Sequence, residues 1–365
     1  MKKYFVFLGI AALTLAACTK TEIDDTVIPD QKIEFNAANY VPQTRADGDT
    51  VSILSETTTF KTKAYLHAEG VPTVQPYFGD NGETITYKAG TDESVWVPSH
   101  DYYWPKSKKS YINFVSWYDG NVNRTPTVTE TTIKWENATI GTADNIMWAD
   151  EAWHYNSNAE KYKFDGVKEG VPTLFHHALA KLCIKAKAEP VTGGSDNKTT
   201  WVVTLEDIKI TGTHNQGTLT LTNTEPTGTS PAQQAYTTEG WELPTGTAPG
   251  ITMTNTNALT TSLVDVLAEQ SVLPQTLTNA KLEFTLHIIT KYNGTQYSEE
   301  KIAQSVDLAS LGTTAITKWE MNTKYTYNII INPETNIVKF DPAVIPWVVD
   351  ANAPTYNVPA GQINS

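Results

Sequence analysis

Short runs of alternating apolar and polar residues recur along most of this chain, each ended by turn formers. They fall at residues 60–67, 83–88, 111–117, 131–135, 174–188, 201–210, 218–222, 281–292, 300–308, 324–332 and 337–347. A period of two sends successive side chains to opposite faces, which suits a half-buried strand and not a helix. Asn293-Gly294 lies between two such runs and predicts a two-residue hairpin turn. Asn81-Gly82, Asp119-Gly120 and Asp165-Gly166 mark further turns. Threonine, whose β-branched side chain favours strands, fills 55 of the 365 positions. Helix-like spacing is confined to residues 176–187 and 262–269, too little for the crossover helices of a parallel α/β sheet. The expected fold class is all-β. At about 150 residues per domain the length suits two domains, and two tandem β-sandwiches are the economical arrangement. Gly166, Gly170 and Pro172 place the boundary near residue 168. That gives an N-terminal sandwich over 46–168 and a C-terminal one over 169–365.

The first 45 residues read differently. Lys2 and Lys3 precede an apolar run, residues 5–13, that is too short to span a bilayer, and Leu15-Ala16-Ala17-Cys18 follows. The pattern resembles a bacterial lipoprotein signal peptide over residues 1–17. By that resemblance a peptidase cuts before Cys18, whose thiol and new amine carry acyl chains. Each buried CH₂ contributes about 0.8 kcal/mol, so several chains together anchor the protein in a membrane. Residues 18–45 form an acidic leader, with a strand-like alternation at residues 32–36. Arg45 sits in the turn-rich stretch 42–49 and is one of only two arginines. The other, Arg124, precedes Thr125-Pro126, which hinders a protease. On residues alone, Arg45 is either a solvated charge or the site of a single arginine-specific cut before Ala46.

Composition removes several function classes. The formal charge is −13, which argues against nucleic-acid partners, since those need basic patches. Two cysteines exclude a disulfide scaffold and a multi-cysteine zinc module. With Cys18 acylated, Cys183 has no partner, and Leu182-Cys183-Ile184 reads as core. The seven histidines are scattered except for His176-His177. Adjacent strand residues face opposite ways, so one is expected to pack, the other to be solvated, and the pair not to chelate one ion. H-E-x-x-H, G-x-S-x-G, P-loop and dinucleotide fingerprints are all missing. No catalytic residue, cofactor or metal is assigned, and no enzyme activity is expected. Trp96, Trp104 and Trp117 lie around Tyr102-Tyr103-Trp104-Pro105. They are either core residues or a sugar-stacking platform. The platform is the basis of an alternative reading, a surface glycan-binding outer-membrane lipoprotein.

Three stretches together resemble the fimbrillin family of Bacteroidetes, the subunits of type V pili. One is the lipobox with its acidic leader ending in Thr44-Arg45-Ala46. Another is the run Leu174-Phe175-His176-His177-Ala178-Leu179-Ala180-Lys181-Leu182. The third comprises Trp319, then Tyr325-Thr326-Tyr327-Asn328-Ile329, Val338-Lys339-Phe340 and Pro346-Trp347. The resemblance implies two transthyretin-like β-sandwiches, a lipid-anchored precursor at the outer membrane, and cleavage after Arg45. It also implies that the first strand, residues 32–40, leaves and that a strand from another subunit takes its place. The partners are then other pilus subunits, in a homo- or hetero-polymer, and ligands on host or bacterial surfaces. The donor segment would be the tail, with Val348, Val349, Tyr356 and Val358 offering side chains to a groove. Pro354, Pro359 and Gly361 weaken a long strand there, so a frayed terminus is the competing reading.

Overall fold

A computed structural model describes residues 31–41, 50–90, 95–120, 125–159, 169–191, 198–253, 257–311, 315–347 and 355–357. The main strands in chain order begin with β1 (Phe35–Val41), β2 (Thr50–Ile53), β3 (Phe60–His67), β4 (Glu83–Lys88), β5 (Val95–Pro98) and β6 (Tyr111–Tyr118). Next come β7 (Thr132–Thr139), β8 (Met147–Ala149), β9 (Glu151–Tyr155), β10 (Val171–His177), β11 (Ala180–Ala188), β12 (Thr199–Thr211) and β13 (Gln216–Thr222). The last are β14 (Val264–Val272), β15 (Lys281–Tyr292), β16 (Thr295–Asp307), β17 (Thr323–Asn332), β18 (Ile337–Pro346) and β19 (Thr355–Asn357). The fold is all-β. Among the described residues the sole helical piece is a 3₁₀ turn at Leu308–Ser310.

Seven strands close on themselves in the order β6, β8, β10, β1, β5, β4, β3 and back to β6. The result is barrel-like, where the sequence pattern predicted an open sandwich. Closure satisfies strand edges that a sandwich leaves bare. Phe35, Phe60, Phe78, Trp96, Phe114 and Phe175 form the inner core. A second core lies between the barrel's outer face and a small sheet built on β7 and β13, around Trp117, Ile133, Trp135 and Leu219. A third fills a sandwich of two sheets, β14-β11-β17-β18 and β12-β15-β16.

Sequence and structure agree on the hairpin: Asn293 and Gly294 connect β15 to β16 at φ of 48° and 78°. A two-residue turn with both φ positive matches the right-handed twist of its strands. The 174–188 run departs from expectation. It forms two strands broken at Ala178-Leu179, both fully buried, where the chain passes from barrel to sandwich. Val171 to Phe175, beyond the expected boundary at 168, still line the barrel against β1. Both helix-like patches are extended, because strand neighbours satisfy their backbone groups in β10, β11 and β14. The expectation that one of His176 and His177 is solvated fails. His176 stacks on Trp148 at 4.3 Å and bonds Asp150, while His177 is buried against Trp347.

Candidate functional site

The segment that precedes Arg45 is built into the barrel wall. Ile33, Phe35 and Ala37 alternate into the core at 1% exposure or less. Asn36 and Ala38 on the other face are buried as well, and so is Asn39, the next residue on the face of Phe35 and Ala37. The Phe35 ring meets Phe60, Phe78 and Phe114 edge-on at 6.2, 6.3 and 5.4 Å. Such pairs add to the free energy of burial itself.

Both edges of this strand are bonded. On one side β1 runs parallel to β10, from Phe35 opposite Val171 to Asn39 opposite Phe175. On the other it pairs antiparallel with β2 and, at Phe35, with Trp96 of β5. Upstream, the Ile33 amide donates to the Tyr102 carbonyl at 2.8 Å, and the Trp104 amide donates to the Gln31 carbonyl at 3.0 Å. Gly170 makes the parallel approach possible, since a Cβ there would lie 2.5 Å from the Phe35 carbonyl carbon. The Lys32–Asp101 ion pair (2.6 Å) is half exposed on both sides and adds little.

The end of β1 touches the start of the tail through one residue. The Asn322 side-chain amide donates to the Tyr40 carbonyl at 3.4 Å, and the Asn322 carbonyl accepts from the Trp347 amide at 3.0 Å. Trp347 stacks on His177 at 3.8 Å and carries the Lys181 ammonium 4.7 Å above its ring. Burial, then Lys181 and His176, push the His177 pKa down to about 3, so that ring is neutral.

A separate polar layer lies on the barrel's outer face. His154 sits between the Glu225 carboxylate at 2.9 Å and the Ser230 carbonyl at 3.2 Å. Nearby, His67 and the Asn113 amide both reach Glu130, at 2.6 and 2.7 Å. Glu151 is fully buried, with Tyr236 and Asn223 beside its carboxyl group. Burial drives its pKa up to about 9, with Glu130 and Glu225 adding to the rise while Tyr236 and Asn223 oppose it. It is therefore a neutral acid near pH 7. Residue types in sequence missed this layer; the available signal was a glutamate inside the strand-like Glu151-Ala152-Trp153.

Cys18, Arg45, Ala46, Val348, Val349 and Val358 lie outside the described residues. Tyr356 lies on β19, whose backbone pairs with β2. The structure thus brings β1, β2 and the tail strand side by side. Trp96, Trp104 and Trp117 are buried at 6% exposure or less, so of the two readings the core one holds and they offer no sugar platform. Among the described residues no group of three or more His, Cys, Asp or Glu side chains could hold a metal.

These features define an all-β protein whose barrel is closed by a strand that precedes an arginine-bearing connection. The chain belongs to the fimbrillin-like family, whose model matches residues 21–347. Solved structures similar to it include a putative cell adhesion protein from Bacteroides uniformis, at 17% identity and a TM-score of 0.45, covering 87% of this chain and 98% of that one. A fimbrial protein from Bacteroides vulgatus matches at 14% identity and a TM-score of 0.46, covering 87% and 100%. The tip fimbrial protein Mfa3 from Porphyromonas gingivalis matches at 9% and 0.33, covering 87% and 100%. No curated protein matches the chain.

Proposed function

We propose that this protein is a structural subunit of an adhesive surface pilus. In this reading it is exported as a lipoprotein on Cys18, cut between Arg45 and Ala46, and assembled with other pilus subunits by strand exchange. Its two units, one N-terminal and one C-terminal, are transthyretin-like. The observation that carries the reading is the burial of β1 on both faces and its pairing on both edges. A core strand that precedes a cleavable arginine leaves a deep groove when it goes. That groove presents backbone donors and acceptors on both walls and an aromatic floor, which an extended segment fills by strand addition. The tail supplies that segment, with Val348, Val349, Tyr356 and Val358 as candidate anchors.

N-terminal sequencing of the protein taken from the cell surface tests this. The expected start is Ala46, in material that runs as a ladder of polymers. A strictly monomeric protein starting at Ala46, absent from filaments, overturns the reading.

A further inference from the structure

We propose that the uncut chain parks its own tail strand, β19, on the outer edge of β2, and that departure of β1 releases it. This rests on the strand-exchange reading above. β2 is only four residues long and stands between two partners. On its inner side it pairs with β1, from Ala38 opposite Ile53 to Val41 opposite Thr50. On its outer side it pairs with β19: Thr50 with Asn357, Val51 with Tyr356 and Ser52 with Thr355. Just past β2, the Leu54 amide donates to the Ala37 carbonyl at 3.3 Å, which adds to the hold of β1 on this segment.

A two-stranded ribbon this short is not stable by itself in water. β19 therefore stays on β2 only while β2 remains part of the barrel sheet. β1 secures the root of the tail as well, because Asn322 bonds both the Tyr40 carbonyl and the Trp347 amide. Hydrolysis of the Arg45–Ala46 peptide bond severs the covalent link between β1 and β2 but none of these contacts. When β1 leaves, β2 loses its inner neighbour and Asn322 loses Tyr40, and the tail is freed. Acceptor groove and donor tail become available in one step. An uncut subunit can then neither accept nor donate, so it cannot cap a growing filament. While parked, the tail meets β2 at an effective concentration on the order of millimolar, which a neighbour's groove does not match at ordinary subunit concentrations.

Hydrogen exchange on the full chain, read by mass spectrometry, tests the parking. In uncut protein the amides of residues 355–357 are expected to exchange at least about tenfold more slowly than a free chain. After an arginine-specific cut and loss of the leader fragment, confirmed by mass, they reach free-chain rates. The paired variant Ser52→Cys and Thr355→Cys tests the release. Oxidised and cut, it is expected to polymerise at least about tenfold more slowly than the same protein reduced. Free-chain exchange of residues 355–357 before the cut overturns the proposal. So does protection that survives the loss of β1, or equal polymerisation in both redox states. If neither the parent nor the reduced variant polymerises after the cut, strand exchange itself is wrong, and the exchange rates alone then decide whether the tail is parked.

Discussion

Barrel and sandwich solve the same problem in different ways. Each must dispose of unpaired strand edges, which invite aggregation. In the sandwich, β16 and β18 are long edge strands, each paired on one side only among the described residues. It arms them with charge and proline: Glu299, Glu300, Lys301 and Asp307 on one, Lys339, Asp341, Pro342 and Pro346 on the other. The barrel closes its main edges instead, and β1 is the stave that completes the ring. The sandwich core includes none of residues 31–41, whereas the barrel's ring is completed by a segment that precedes Arg45 in the chain. Under the proposed strand exchange, that difference makes β1 the part that leaves.

The comparison breaks most visibly at Phe35. Phe35→Ala removes a ring fully buried among three others. It should cost about 3–5 kcal/mol. Hydrogen exchange should show the loss in β3 and β6, with β15 unchanged; equal loss in both regions would mean that barrel and sandwich unfold as one unit. A second handle is pH. The Glu151 pKa is raised to about 9 in the folded chain from an ordinary carboxylate value near 4.5. Its contribution to stability is whole below the unfolded value and is lost as pH climbs toward 9. The slope is up to about 1.4 kcal/mol per pH unit. Urea midpoints at pH 5 and 9 should converge in Glu151→Gln, and an unchanged difference would place the pH dependence elsewhere.

Smaller effects sharpen the sandwich side. Gly294→Ala puts a side chain at φ 78° in the β15–β16 turn. It should cost about 1 kcal/mol in chemical denaturation, felt in the sandwich and not in the barrel. Lys32→Ala removes an exposed ion pair with Asp101. It should leave the urea midpoint nearly unchanged, and whatever small shift appears should vanish at high salt. A larger change would mean that the leader end of β1 is held by charge and not by its buried alternation.

Much of the fold was legible because strands announce themselves locally. The 60–67, 83–88 and 281–292 runs coincide with β3, β4 and β15 residue for residue. The Asn293-Gly294 turn was equally plain, since few other pairs tolerate two positive φ values. The 174–188 run was misread as continuous because Ala178 and Leu179 are apolar and carry no turn signal. The candidate site was half legible. The alternation at residues 32–36 was visible, but nothing local says which sheet it enters. Trp96 and Trp104 could not be told from a surface platform, because aromatic side chains serve both roles and only burial separates them.

The sequence by itself determined an all-β chain without a recognisable catalytic or metal motif, and it singled out Arg45 through the scarcity of arginine. These are properties of local periodicity and composition, which survive without knowledge of partners. Tertiary structure alone decided that the strand before Arg45 closes a barrel, and that Asn322 joins its end to the root of the tail. It also decided that Glu151 is a buried neutral acid. Strand pairing and burial arise between residues far apart in the chain, so no local pattern encodes them.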